Sequence, residues 1–364
     1  MADAGFLERD RFQALIDALA DAGYRCLGPV VGDGAFSWQP IERAAQLPRG
    51  MSDEQSPGHY RLHASRSVRW FDWAVGPQCL KPLLFEPRAV LWQVRSVGGR
   101  LEFMPEPVRS EPTAVIGVRA CDLAALKLQD AHFCAADARY AARREALFLV
   151  AVNCARPAAT CFCASTGDGP AVQAGYDLLL DELDEGFLVT AGSEAGRAIA
   201  GRLPLVAPRP EQPGRARAQV EAAAAAQQRA LPGRDLRTAL VGAREHPHWQ
   251  AVAERCLACG NCTSVCPTCF CHSHHDEPAL DGQSSAQVRE WDSCFTAGHS
   301  YIHGIVIRAT TAHRYRQWLT HKLATWHDQY GRSGCVGCGR CITWCSVGID
   351  LTAEIAALLE PAGA

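Results

Sequence analysis

The chain has 364 residues, of which 48% are hydrophobic and 21% charged, so it is too apolar to be a disordered protein and long enough for two or three domains. With 36 Lys+Arg against 39 Asp+Glu the formal charge is -3, which argues against a general nucleic-acid binder or a membrane-surface anchor. Its 18 cysteines are the compositional feature that needs explaining.

At the N-terminus, MADAGFLERDRFQALIDALADAG has the spacing of an amphipathic helix and lacks the apolar core of a secretory signal. No run of about 18 apolar residues follows, so no membrane span is expected. These features predict a cytoplasmic protein, where cysteines serve metal or redox chemistry more often than disulfides. Residues 27–110 are punctuated by Pro, Gly and Trp and read as β or irregular. The short apolar runs 114–120, 147–153, 176–180 and 186–190 predict buried strands. Between the first two lies LAALKLQDAHFCAADARYAARRE, with helical spacing and a candidate N-cap at Asp122. Strand, helix, strand in that order predicts a parallel α/β layer.

Residues 203–215 are rich in Pro and polar residues, and ARAQVEAAAAAQQRALPG then predicts a connecting helix that stops at Pro232–Gly233. The expected organisation is a mixed α/β domain over 1–210, a helical linker over 211–240, and a mostly helical ferredoxin-like domain over 241–364: an α+β chain. Seven cysteines precede residue 240 and eleven fall in 256–345, so the C-terminal third should be built around its cofactors.

Cys256, Cys259, Cys262 and Cys266 stand in CLACGNCTSVCP, and Cys335, Cys338, Cys341 and Cys345 repeat the spacing in CVGCGRCITWCS. This C-x2-C-x2-C-x3-C run is the bacterial ferredoxin pattern for [4Fe–4S] clusters. A cubane takes one thiolate per iron, and two-residue gaps wrap three sulfurs around one cube. Gly260 and Gly339 let the backbone approach closely. Zinc sites use four ligands in two CxxC pairs, whereas here two complete runs begin 79 residues apart. In two-cluster ferredoxins the fourth cysteine of each run serves the other cluster. One cluster is therefore expected on Cys256, Cys259, Cys262 and Cys345, and the second on Cys335, Cys338, Cys341 and Cys266, with the runs packed about a pseudo-two-fold axis. Ser346 replaces the proline that follows the fourth cysteine of the first run, Pro267.

The stretches CGNCTSVCPTCFC, WDSC, HK and CVGCGRCITWCSVGID, with GVRACDLAAL, VAVNC and TCFCASTGDGP upstream, resemble the beta subunit of cytosolic sulfhydrogenases, multisubunit nickel–iron hydrogenases. They also resemble the related iron–sulfur subunit of anaerobic sulfite reductases. The likeness covers most of residues 110–350. It implies an electron-transfer iron–sulfur subunit, not catalytic alone. Its role would be to relay electrons between a catalytic partner, of hydrogenase or sulfite-reductase type, and a flavoprotein subunit. It also implies a ferredoxin domain placed after an α/β domain.

A third [4Fe–4S] cluster is expected on Cys121, Cys154, Cys161 and Cys163. The first two follow predicted parallel strands, where α/β folds place their sites, and the others lie in a loop just beyond. Buried or merely reactive thiols are the alternative. Cys269, Cys271 and Cys294 could be alternative ligands, zinc ligands or packing residues. Cys26, Cys79 and Cys134 read as packing residues, and HSHH at 272–275 as a solvated loop. The aromatic and basic run HRYRQWLTHKLATWHDQYGR predicts a helix entering the second motif.

No GxGxxG, Walker or GxSxG pattern is present, which weighs against the competing reading of a self-contained reductase with a substrate or flavin site in the N-terminal domain. Each cubane on four thiolates carries about -2, so two or three clusters would bring the loaded chain to about -7 or -9.

Overall fold

A computed structural model of the chain describes residues 5–360. In chain order its main strands are β1 (Gly5–Glu8), β2 (Arg25–Gly32), β3 (Ala35–Pro40), β4 (Met51–Ser56), β5 (His59–Ala64), β6 (Arg88–Val97) and β7 (Arg100–Pro105). They continue with β8 (Thr113–Val118), β9 (Leu147–Val152), β10 (Leu178–Leu183), β11 (Gly186–Ala191), β12 (His272–Pro278) and β13 (Ser284–Trp291). One seven-stranded sheet has the order β1-β11-β10-β9-β8-β2-β3. Its central pairs β2–β8, β8–β9 and β9–β10 are parallel, as the strand–helix–strand pattern requires.

Those central strands are apolar throughout because both faces of the sheet are covered. Ala114, Ile116, Phe148, Val150 and Val152 enter a core with Phe12, Trp70, Trp73 and Phe187. Val115, Val118, Leu149 and Ala151 face the other way, onto Leu84, Phe85, Leu123 and Leu126. The register slips at Gly117, whose φ is +93° and whose absent Cβ would lie 2.9 Å from the Phe71 ring. Glycine is needed there.

Several expectations change. Residues 5–21 are not one helix: β1 pairs antiparallel with β11 and buries Leu7, and the helix begins only at Gln13 (Gln13–Asp21). Sheet pairing of Phe6 and Leu7 outweighs local helix propensity; residues 1–4 lie outside the described residues. Asp122 is not the N-cap of helix Ala120–Phe133. Arg119 holds that position, and Asp122 sits in the first turn, accepting the Arg119 N–H at 3.4 Å. Helix Gln212–Ala225 ends well before Pro232–Gly233, and it buries Ala216, Val220 and Ala223. It packs on β10 and β11. His272–His275 form part of a strand rather than a loop. Cys26 and Cys79 are buried, but Cys134, at the end of helix Ala120–Phe133, is exposed.

Beyond residue 241 short helices dominate, together with the β12–β13 hairpin. That hairpin joins β6 and β7 in a four-stranded sheet of order β12-β13-β6-β7, so elements from either side of residues 211–240 share one sheet. Helix Thr311–Thr320 widens into a π turn over His321–Thr325 and resumes as Trp326–Tyr330. Among the described residues no helix is long and apolar enough to cross a membrane.

Candidate metal centre

Each cysteine run folds the same way. Gly260 (φ +75°) and Gly339 (φ +76°) precede the one-turn helices Asn261–Ser264 and Arg340–Thr343. A Cβ on Gly339 would stand 2.4 Å from the Thr160 carbonyl oxygen, so both the left-handed backbone and the close approach demand glycine. The two one-turn helices touch, and Asn261 Nδ2 donates to the Trp344 carbonyl, tying one run to the other.

Cys256, Cys259 and Cys262 of the first run and Cys345 of the second line one cavity, partly open to solvent. Phe295, Tyr315, Trp318, Ile349 and Leu351 complete its wall. Burial pushes the Cys256 and Cys262 thiols up, and both feel Cys345 and Cys259. The donor set and the apolar wall fit an iron–sulfur cluster, which takes thiolate ligands in a dry surround.

Cys335, Cys338, Cys341 and Cys266 form a second, deeper group. Cys341 feels the charges of Cys335, Cys266 and Cys338, and burial pushes Cys335 up to about 12. Cys341 also reaches the wall of the first cavity. Lys322, in the π turn, is buried with its Nζ 3.5 Å from Cys266 Sγ and 3.0 Å from Thr268 Oγ1.

The N-terminal cysteines gather beside that group. Cys121 lies in the first helical turn after β8, Cys154 just after β9, Cys161 in the following loop, and Cys163 opens the one-turn helix Cys163–Thr166. Cys161 feels Cys163, Cys154 and Cys338, while Cys121 feels Cys338 and Cys163. Burial pushes Cys163 up to about 12. The Cys161 Sγ is 3.9 Å from the Cys338 carbonyl oxygen, and Gly337 comes so close to Cys163 that a Cβ there would lie 2.5 Å from its Cα.

Two buried arginines attend this group, and sequence reasoning missed both. Arg340 Nη2 stands 2.8 Å from Asp122 Oδ1, each side chain 1% exposed, and Arg340 Nε donates to the Gly76 carbonyl at 2.8 Å. The N–H is not aligned on Oδ1, so the pair is Coulombic rather than a formed hydrogen bond. Arg119 is fully buried, donates to the Phe71 and Trp73 carbonyls and stands against the Cys154 thiol. Two buried carboxylates, Asp122 and Asp53, act on the Cys154 thiol against Arg119. The only sequence signal for Arg340 is its place next to Cys341. Cys269, Cys271 and Cys294 lie together near the start of the β12–β13 hairpin. Among the described residues no three His, Cys, Asp or Glu side chains draw close enough to grip a single ion.

Twin cysteine turns with a shared cavity define an iron–sulfur protein of the two-cluster ferredoxin class. A family model described as a 4Fe-4S dicluster domain matches residues 255–349, so two [4Fe–4S] clusters are supported for this chain. The chain is also 32% identical to sulfhydrogenase 2 subunit beta of Pyrococcus furiosus over 241 residues, which is 65% of this chain and 71% of that protein. It belongs to the sulfhydrogenase beta-subunit family. No solved structure matches it.

Proposed function

We propose that the chain is the electron-transfer subunit of a hydrogenase-type complex. It relays electrons between a catalytic partner, of nickel–iron hydrogenase or sulfite-reductase type, and a flavoprotein subunit. The observation that carries this reading is the crossing of the runs, with Cys345 on the same cavity wall as Cys256, Cys259 and Cys262. On this reading those four hold one cluster, and Cys335, Cys338, Cys341 and Cys266 hold the other. The clusters supply one-electron exchange. Phe295, Tyr315 and Trp318 shield one side of the first group, whose Cys259 stays exposed, and Lys322 offsets negative charge at Cys266 of the second.

A third cluster on Cys121, Cys154, Cys161 and Cys163 extends the path toward the parallel sheet. Its support is the proximity of these thiols to Cys338 and the guanidinium groups of Arg119 and Arg340 beside them. On the domain reading, residues 241–364 carry the ferredoxin pair and residues 1–210 the third site, with 211–240 between them.

The test is anaerobic purification followed by iron analysis, electron paramagnetic resonance and a redox titration. Cys154→Ser/Cys163→Ser should lower iron by about four per chain relative to wild type. Unchanged iron in that variant refutes the third cluster. Stoichiometric flavin in the purified chain, or substrate reduction without partners, would refute the relay itself.

A further inference from the structure

Cys269, Cys271 and Cys294 belong to neither run, yet the fold collects them. Cys269 and Cys271 lead into β12, and Cys294 follows β13. The hairpin sets His272 opposite Trp291, and Asp292 N–H donates to the Cys271 carbonyl at 2.9 Å, which holds the two strand ends side by side. Cys294 and Cys271 pack in the same cluster of side chains, Cys271 feels Cys294 and His299, and Cys294 feels Cys269. His299 Nδ1 is 3.2 Å from Asp292 Oδ2, which leaves Nε2 for the thiol side. A carboxylate on one imidazole nitrogen is how proteins orient a histidine whose other nitrogen binds metal.

A second observation is independent of the thiols. Lys81 is 7% exposed, with Nζ 3.2–3.3 Å from the carbonyl oxygens of Thr263, Ser264 and Cys266 and 3.8 Å from the Trp291 ring centroid. Among the described residues no carboxylate pairs with it, and a buried ammonium without a counter-charge is costly. The groups within its reach that can become anionic are thiols, Cys269 foremost, then Cys266 and Cys271. Lys322 also faces Cys269, beside Cys266 and Cys335, so two buried cations stand by the hairpin cysteines. Lys81, Cys269, Cys271 and Asp292 share the wall of a solvent-open pocket.

We infer that Cys269, Cys271, Cys294 and His299 hold a further iron–sulfur cluster, separate from the ferredoxin pair and from the Cys121 group. Cys294 feels Cys262 of the first run, and Cys269 feels Cys266. The site therefore lies beside both ferredoxin positions and gives the chain a branch point that opens toward solvent. This goes beyond the relay proposed above, which uses none of these four residues.

Iron, acid-labile sulfide and zinc are measured on the anaerobically purified full-length chain and on Cys271→Ser/Cys294→Ser. The variant should lose about four irons and four sulfides, with the signals of the ferredoxin pair retained. The loss should be independent of the loss in Cys154→Ser/Cys163→Ser, so the two sites stand or fall separately. Unchanged iron in a soluble variant overturns the inference, as does about one zinc per chain that the variant loses instead. Should the variant not fold, native alkylation of wild type with iodoacetamide gives the same decision. Cys269, Cys271 and Cys294 should stay unmodified while iron is retained and react once iron is stripped. Alkylation of any of them at full iron content overturns the inference. His299→Ala should alter the resonance signal of one cluster only; an unchanged spectrum with all clusters present removes His299 from the ligand set.

Discussion

Arg340→Met is the most informative single change, because Arg340 joins the second cysteine run to the parallel sheet. Its guanidinium lies 2.8 Å from the Asp122 carboxylate with both side chains 1% exposed. At an effective dielectric of about 20 that separation corresponds to roughly 6 kcal/mol of attraction before desolvation. Methionine preserves much of the volume but leaves Asp122 buried without its partner, and such losses cost about 3–5 kcal/mol. Arg119, whose backbone N–H bonds Asp122, tempers the loss, so the lower end of that range is expected. Urea unfolding of the anaerobic holo-protein reads the shift. Asp122→Leu/Arg340→Met removes both charges and should recover part of the stability. Because Arg340 also faces Cys338 and Cys121, its loss should move the potential of the neighbouring cluster in the negative direction. Wild-type stability in Arg340→Met, or a double variant no more stable than the single, would refute the reasoning.

Cys259→Ala and Cys338→Ala should each lower iron by about four per chain and interrupt electron transfer to the partner; full transfer without either cluster contradicts the relay. Gly337→Ala should cost about 1–3 kcal/mol in urea unfolding, from a positive φ (+64°) and a Cβ 2.5 Å from Cys163 Cα. Gly331→Ala (φ +70°, nothing within 4 Å) isolates the backbone part and should cost less. Loading the cluster-free chain should release protons, because burial holds Cys335 up at about 12 while a cluster takes thiolates. The sign is that loading strengthens as pH rises through the range below about 12 and weakens as it falls. A weakly buffered reconstitution with a pH indicator measures this, and no proton release would show that the thiols are already ionised.

Much of the site was legible in the chain itself, because cluster chemistry is local. Two-residue gaps and a left-handed glycine make a cysteine turn wherever they occur, and the two runs duly fold alike at Gly260 and Gly339. The central strands were equally legible, since β8 and β9 are apolar on both faces and flanked by turn signals. Less could be read where partners are distant. HSHHDEP has no apolar alternation, and it becomes a strand only because residues 284–291 pair with it and in turn with β6, nearly 200 positions earlier. Gly5–Glu8 is a strand because β11 offers it an edge, against its own helical spacing.

By its own spacing, then, the sequence determined two ferredoxin turns and the α/β layer, since both arise from contacts within a few residues. The tertiary structure decided which thiols share a space and which buried cations face them. Lys81, Arg119 and Arg340 have no motif, and their burial is tolerable only where folding brings negative charge from elsewhere in the chain.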